Sequence, residues 1–345
     1  MRNPEFFMHR AFQLAALSQG KVAPNPLVGC VIVHPEYGII GEGRHMVFGG
    51  PHAEVNAINS VRDQSMLKEC IAFVNMEPCS HFGKTPPCAD LLIEKKIKEV
   101  VISTLDPNPL VAGKGIEKLK GAGISTSTGI LEKEGLALNR FFITSHIKKR
   151  PFITLKWAQT ADRFIARPDG SSKWISSGES RLWVHKWRAA HQAILVGRNT
   201  LKIDNPLLNV RGWHGQYPIR LVVDPNLSLP ENLNIFTDSS APTLIFNEKK
   251  EGKNGHMEYI KMNNPSDISG LISTIYALGI QSIFVEGGRQ LLQQFVNQQL
   301  WDEALVFTSN QSFHSGIASP IMQNARLRKT TYAGQDLLES WVPES

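Results

Sequence analysis

Between His52 and Cys88 the chain reads PHAEVNAI at one end and NMEPCSHFGKTPPC at the other. His52, Cys79 and Cys88 are one imidazole and two thiols, a set suited to holding a zinc ion with one coordination position open. Glu54 stands two residues after the histidine, close enough to move protons at that open position. A closed, structural zinc site would need a fourth ligand, which His81 or His45 could supply, but Glu54 at this offset has no use in such a site. The centre constrains the fold around it. Pro51 opens a helix that carries His52 and Glu54, and a strand at Ile71–Asn75 leads into the cysteine loop.

The rest of the chain alternates strand and helix. An amphipathic helix is expected over Glu5–Gln19, strands over Val28–Val33 and Ile39–Arg44, and a helix over Ala89–Lys96. A strand at Glu99–Ser103, a short helix at Gly113–Gly121, a short strand at Ile124–Thr126 and one helix over Leu131–His146 complete an α/β domain spanning residues 1–147. A second α/β domain is expected over 151–345. Its strands are Phe152–Trp157, Ala193–Val196, Ile219–Val223, Thr243–Phe246, Ile283–Val285 and Ala304–Phe307. Its helices are Gly178–Ala190, Pro265–Ala277 and Arg289–Asn297. Residues 225–262 and the tail beyond 310 show no readable periodicity.

The formal net charge is +6, a balance that suits anionic substrates as well as general solubility. The basic residues are dispersed, and the one tight cluster, Lys148-Lys149-Arg150, falls at the expected linker and reads as solvated charge rather than a nucleic-acid patch. Four cysteines in 345 residues do not make a disulfide scaffold. With two assigned to the metal, Cys30 and Cys70 read as structural thiols, and a reducing, cytoplasmic setting follows. No signal peptide or membrane span is expected.

Zinc makes a hydroxide available near neutral pH, and Glu54 can act in turn as base and acid. The chemistry this points to is hydrolytic loss of an amine from an amidine-like carbon, as in an aminopyrimidine. The His-x-Glu … Pro-Cys … Cys pattern is that of zinc deaminases, which usually carry two residues between the cysteines. Here there are eight. The longer loop brings Lys84, which is either a solvated charge or a group that holds a ring oxygen as negative charge develops. Asn25, between Pro24 and Pro26, is a turn residue that in a pocket would read a sugar hydroxyl or ring edge.

MHRAFQLAALSQG, PNPLVGCVIV, GEGRH, GGPHAEVNAI, MEPCSHFGKTPPC and DPNP together resemble the bifunctional riboflavin biosynthesis family, a pyrimidine deaminase fused to a reductase. HFGKTPPC is the discriminating piece, since cytidine and tRNA-adenosine deaminases are similar in His-Ala-Glu and Pro-Cys but have the short cysteine spacing. The resemblance implies a cytidine-deaminase-like three-layer first domain. Its implied substrate is 2,5-diamino-6-ribosylamino-pyrimidinone 5′-phosphate.

On its own the second half offers no G-x-G-x-x-G after a strand. It has only the strand–glycine–helix junction of SIFVEGGRQLL, which can present N–H groups to a phosphate or be a plain turn. The resemblance continues through RPFITLKWAQT, SSKWIS, WRAA, DNPLLNVR, PIRLVVD and VEGGRQLL. It implies a dihydrofolate-reductase-like domain that uses NADPH to reduce the ribosyl group to a ribityl chain. On that pattern Ala158, Trp174, Thr200, Asp204, Gly288, Arg289, Gln290, Leu291 and Leu292 contact the cofactor. Ser172, Arg188, Leu208, Arg211 and Glu286 contact the substrate, with the arginines suited to its phosphate, and Lys156 assists the transfer.

One departure stands out. Where the family has Ser-x-Asp-Gly, this chain has Thr160-Ala161-Asp162-Arg163, and a glycine there would serve a tight turn or a close approach to ligand. Arg163 is therefore expected to affect reduction or the way substrate is held. Two other readings remain: a zinc deaminase of another nucleoside or nucleic-acid base with a substrate-holding second domain, and a binding protein whose second half has lost turnover. The leading expectation is a cytoplasmic, homo-oligomeric enzyme acting on a small phosphorylated pyrimidine, with Zn2+ and NADPH and without nucleic acid or membrane.

Overall fold

The computed structural model describes residues 3–82, 86–108, 112–172 and 175–344. The chain divides into two compact units, Met1–Lys149 and Arg150–Ser345.

In the first unit the elements run α1 (Pro4–Ala16), β1 (Gly29–His34), β2 (Gly38–Arg44), α2 (Ala53–Ser60), β3 (Ile71–Met76), α3 (Cys88–Glu94), β4 (Glu99–Thr104), α4 (Lys114–Gly121), β5 (Ser125–Thr128), α5 (Glu132–Leu138) and α6 (Arg140–Lys148). Among the described residues five strands form one sheet in the order β2-β1-β3-β4-β5. β1 is antiparallel to both β2 and β3, whereas β3, β4 and β5 are parallel. The central strands are apolar on both faces because both faces are covered. Cys30, Ile32, Ala72, Val74, Val100 and Ile102 pack into one core with α2 and α3. Val31, Val33, Phe73 and Val101 pack on the other side against Phe7, Met8, Ala11 and Leu14 of α1. The unit is thus a three-layer sandwich.

Two glycines set how closely α2 lies on the sheet edge. A Cβ at Gly43 would come 2.2 Å from Ala57 N, and one at Gly41 would come 2.6 Å from Ala57 O. Only hydrogen at these positions lets α2, and the residues at its start, sit against β2. The single helix expected over Leu131–His146 is two helices. Asn139 breaks it, since its side chain accepts from Leu27 N at 2.7 Å and donates to Leu27 O at 3.0 Å. An Asn satisfied by a distant strand entry competes with helix continuation.

The second unit contains β6 (Phe152–Gln159), β7 (Phe164–Ala166), α7 (Gly178–Ala190), β8 (Ala193–Val196), α8 (Arg198–Asp204), β9 (Ile219–Val223), α9 (Asn234–Thr237), β10 (Thr243–Asn247), β11 (Gly252–Asn254), β12 (Met257–Lys261), α10 (Ile268–Ala277), β13 (Ser282–Glu286), α11 (Arg289–Asn297), β14 (Glu303–Thr308), β15 (Ile317–Ala318), β16 (Ala325–Ala333) and β17 (Asp336–Pro343). Among the described residues ten strands form one sheet, β11-β12-β10-β9-β8-β13-β6-β14-β17-β16. The run from β12 to β14 is parallel, and the strands at both ends are antiparallel.

The β16–β17 hairpin occupies the stretch whose sequence showed no period. β16 is an edge strand exposed over Arg326–Tyr332, so it lacks the apolar pattern of a covered strand. A bulge between Leu327 and Lys329, with Arg328 and Lys329 on it, guards the open edge against pairing. At the other end of the basic cluster, Arg150 is no solvated charge. It forms a two-pronged pair with Asp302 at 2.6 and 2.8 Å, and Asp302 also accepts from Ile153 N.

Arg163 lies in the tight turn between β6 and β7, exposed, with φ at 64°. The turn is held without glycine. Arg163 N donates to Thr160 O, Thr160 Oγ1 donates to Asp162, and the Asp162 carboxylate accepts from Phe313 N and His314 N. Arg163 does not line the large cleft of this unit, so the expectation that it alters substrate handling is corrected to a local backbone effect. A left-handed conformation costs a non-glycine residue about 1–2 kcal/mol, and glycine's extra freedom in the unfolded chain returns roughly 0.5–1 kcal/mol of that. Arg163→Gly is therefore expected to raise stability in urea unfolding by about 1 kcal/mol or less while leaving the KM and kcat of any reaction in the cleft unchanged. A shifted KM would show that the turn reaches the cleft.

Candidate active sites

In the first unit three segments converge. His52 is the residue before α2, Cys79 follows the end of β3, and Cys88 is the first residue of α3. Cys88 N donates to Cys79 Sγ at 3.3 Å and Ala89 N to Cys79 O at 3.1 Å, so the start of α3 is tied to the first cysteine. His52 Nδ1 lies 3.3 Å from Cys88 Sγ and 3.6 Å from Cys79 Sγ. All three ligand atoms are within 4.8 Å of one another. Tetrahedral zinc with bonds of about 2.0–2.3 Å separates its ligand atoms by roughly 3.5 Å. The triangle fits that ion.

No fourth protein ligand is present among the described residues. His81 is exposed and outside the cluster. His45 is 2% exposed, with its ring centroid 5.4 Å from that of His52, yet both its nitrogens are engaged. Asn25 Nδ2 donates to His45 Nε2 at 3.1 Å, which places the proton on Nδ1 for donation to Pro51 O at 3.0 Å. His45 is therefore engaged with Asn25 and Pro51 rather than free to bind the ion. The histidine of GEGRH carried no assigned role beyond that of a spare ligand, and its partnership with Asn25, twenty residues earlier, has no sequence signature.

Glu54 is 3% exposed. Burial, together with the nearby Cys79 sulfur, pushes its carboxyl up to about 7. Cys79 is drawn down to about 4 by the hydrogen bond from Cys88 and by His52, and Cys88 is driven up correspondingly. Without an ion the two thiols thus share one proton, and a divalent ion would displace it.

Behind Cys79 sits a carboxylate that the sequence did not single out. Glu77 is 4% exposed. It accepts backbone N–H groups from Gly113 and Gly115 at 3.0 Å, and from Asp106 and Ile116 at 3.4 Å. It caps α4, whose own N-cap residue Gly113 has no side chain to do so. Lys84 lies outside the described residues.

In the second unit a cleft of about 1300 Å³ opens at the C-terminal ends of β6, β8, β9 and β13, where parallel sheets generally bind ligands. Lys156, Ala158, Ser172, Arg188, Thr200, Asp204, Arg211, Glu286, Gly288, Arg289, Gln290 and Leu291 all line it. Leu292 and Leu208 do not. Leu292 is fully buried in the core beside Phe295 and Val296, because the helix turns it inward. Leu208 is 3% exposed and packs among Val196 and Leu201. Trp174 lies outside the described residues.

Glu286, at the end of β13, organises one end of the cleft. Its oxygens accept from Arg188 Nε at 2.5 Å and Nη2 at 3.0 Å, and Lys156 Nζ is 3.7 Å away. Burial alone would push the Glu286 carboxyl up, but Arg188 and Lys156 outweigh it and leave it below its ordinary value. Burial lowers the Lys156 ammonium, partly offset by Glu286. Arg188 gives three of its five N–H donors to Glu286 and Asn209 O and lines the cleft. Arg211 also lines the cleft and has no acid partner among the described residues. His185, one turn before Arg188, was missed. It accepts from Arg211 N at 3.2 Å, and burial plus the two arginines hold it down to about 4, hence neutral.

Comparison with known proteins covers both units. The model of the cytidine and deoxycytidylate deaminase zinc-binding region matches residues 1–104, and that of the RibD C-terminal domain matches residues 151–310. The riboflavin biosynthesis protein RibD of Aquifex aeolicus is 39% identical over 317 residues, covering 90% of this chain and 88% of that one. Its counterpart from Bacillus amyloliquefaciens is 41% identical over 308 residues, covering 87% and 82%. The crystal structure of a diaminohydroxyphosphoribosylaminopyrimidine deaminase/5-amino-6-(5-phosphoribosylamino)uracil reductase from Thermotoga maritima is similar with a TM-score of 0.91 at 37% identity. The match covers 99% of this chain and 98% of that one.

The metal triangle depends on α4 as well. A Cβ at Gly115 would stand 2.1 Å from Pro78 O, next to Cys79. Gly115→Ala is expected to displace Pro78–Cys79, to lower the melting temperature and to reduce the zinc retained per chain after dialysis against a chelator. Undiminished zinc content would show that the cysteine loop is set independently of α4.

Proposed function

The chain belongs to the RibD family of riboflavin biosynthesis proteins, and on that premise we propose that its two sites act in succession on one phosphorylated pyrimidine. The first unit removes the 2-amino group of 2,5-diamino-6-ribosylamino-4(3H)-pyrimidinone 5′-phosphate by hydrolysis. The second reduces the ribosyl group of the product to a ribityl chain with NADPH, giving 5-amino-6-ribitylamino-uracil 5′-phosphate. The observation that carries this is the three-ligand triangle, with no fourth protein ligand among the described residues and a buried carboxyl beside it.

His52, Cys79 and Cys88 would hold zinc, which when bound supplies Lewis acidity and makes hydroxide available near neutral pH. Glu54, poised near 7, takes the attacking water's proton and returns one to the leaving amine. Asn25, fixed by His45, offers its amide to the substrate. Lys84 is assigned to the ring oxygen on the strength of the HFGKTPPC motif. In the second unit NADPH supplies the hydride. Lys156 and Glu286 face the reacting sugar, Arg211 takes the phosphate, and Ser172, hydrogen-bonded to Asp204 at 3.1 Å, closes the side of the cleft. Functional domains over 1–147 and 151–345 accord with the two compact units. Four cysteines without a disulfide suit a cytoplasmic setting, and no helix among the described residues is long and apolar enough to cross a membrane.

Separate sites make a sharp test. Glu54→Gln is expected to cut ammonia release at least about 100-fold, the scale of a lost general acid–base. NADPH oxidation on pre-deaminated substrate should be unaffected. Parallel loss of both activities in a folded, zinc-loaded variant would overturn the assignment of independent sites.

A further inference from the structure

We infer that Asn75 and Asn139 are positioning residues of the deamination, acting through Leu27 on Asn25, an inference that rests on Asn25 being a substrate contact of the first unit. The sheet parts where Asn25 enters it. The β1–β3 ladder ends at Cys30–Val74, whereas β1 stays paired with β2 through Gly29–Arg44, followed by His45 N donating to Val28 O at 3.0 Å. The chain before Cys30 has therefore left β3, and its backbone needs other partners.

Two buried carboxamides supply them. Asn75 is fully buried and Asn139 is 2% exposed. Asn75 Oδ1 accepts from Gly29 N at 2.7 Å, and Asn75 Nδ2 donates to Leu27 O at 2.9 Å. Asn139 Oδ1 accepts from Leu27 N at 2.7 Å, and Asn139 Nδ2 donates to the same Leu27 O at 3.0 Å. Leu27 thus has its N–H and both lone pairs of its carbonyl satisfied by side chains, one from β3 and one from the break between α5 and α6. Each clamp needs an acceptor and a donor on one short planar group, which asparagine provides.

Only Pro26 separates Leu27 from Asn25, and its ring fixes its φ. Clamping Leu27 therefore sets the backbone of Asn25. From the other side Asn25 N donates to Val22 O at 2.9 Å, and Asn25 Nδ2 donates to His45 Nε2 at 3.1 Å. His45 is tied in turn to Pro51 O, next to the ligand His52, and Asn75 stands on the strand that leads to the ligand Cys79. Asn25 is thus referenced to both sides of the metal triangle. Among the described residues its carboxamide has no other protein partner, which leaves its carbonyl and second N–H for substrate.

Asn139 gives up its ordinary task to do this. It stands at the N-cap of α6, where an asparagine usually bonds the N–H groups of its own helix. Its side chain makes no such bond and reaches Leu27 instead.

The test uses Asn139→Ser and Asn75→Ser in the full-length, zinc-loaded chain. Serine at position 139 can still cap α6 but is too short to span to Leu27. Each variant is expected to raise the KM for ammonia release about tenfold, the scale of two lost neutral hydrogen bonds. The kcat, the zinc content and NADPH oxidation on pre-deaminated substrate should hold. In an Asn25→Ala background the same serine should add nothing, because the residue it acts through is gone. Asn75→Ser approaches the clamp from β3 and carries the test should Asn139→Ser fold poorly. The inference is overturned if a folded variant keeps the wild-type KM, or if its effect multiplies with that of Asn25→Ala. Should Asn25→Ala alone leave KM unchanged, the inference falls with the role of Asn25 while deamination at the metal centre stands. Should the wild type release no ammonia, the deaminase reading falls first and takes the inference with it.

Discussion

A buried carboxylate just beyond a strand end holds each site together. In the first unit Glu77 leaves β3 and gathers four backbone N–H groups from the crossover that follows β4. The next residues, Pro78 and Cys79, are thereby referenced to the same crossover. In the second unit Glu286 ends β13 and gathers Arg188 and Lys156. The two solutions differ in what compensates the buried charge. Backbone amides make Glu77 a rigid fastening. Cations surround Glu286 instead, and its charge partly offsets the burial that lowers the Lys156 ammonium.

The metal triangle was legible because its three ligands and Glu54 are chemically unusual at close spacing, and each was placed by a local signal: Pro51 before a helix, an apolar strand before Cys79. The covered strands were legible for a similar reason, since continuous apolar runs such as Cys30–Val33 have few other uses. What failed to show was pairing at a distance. Asn139 stops a helix by bonding to Leu27, and His45 is occupied by Asn25 and Pro51. Glu286 pairs with Arg188, 98 residues earlier in the chain. None of these pairs leaves a periodic trace. The β16–β17 hairpin was illegible for a different reason: an edge strand that must avoid pairing looks polar, and polar sequence reads as loop.

Arg163 shows how a motif can mislead in the other direction. The family glycine suggested a ligand approaching closely. The structure shows a turn that needs a left-handed residue, and Asp162 and Thr160 fasten it well enough to force arginine into that conformation. The requirement belongs to the backbone between β6 and β7 and not to the cleft. Leu292 gives the complementary case. It falls inside a run whose other members, Gly288 to Leu291, line the cleft, but the helical period turns it toward Phe295 and the core.

The two sites also impose opposite demands on water, and the burial pattern answers both. Hydrolysis needs a water at the open position of the triangle, next to a carboxyl whose burial raises its pKa into the working range. Hydride transfer needs water kept out, and the useful arrangement there is a cation kept dry and oriented. Lys156 has this environment: burial lowers its pKa, Glu286 steadies its charge, and the Phe307 ring lies 5.9 Å from its Nζ. Desolvation thus tunes an acid upward in one unit and a base downward in the other. Neighbouring groups limit each shift: chiefly His52, with a backbone N–H and Cys88, for Glu54, and Glu286 for Lys156.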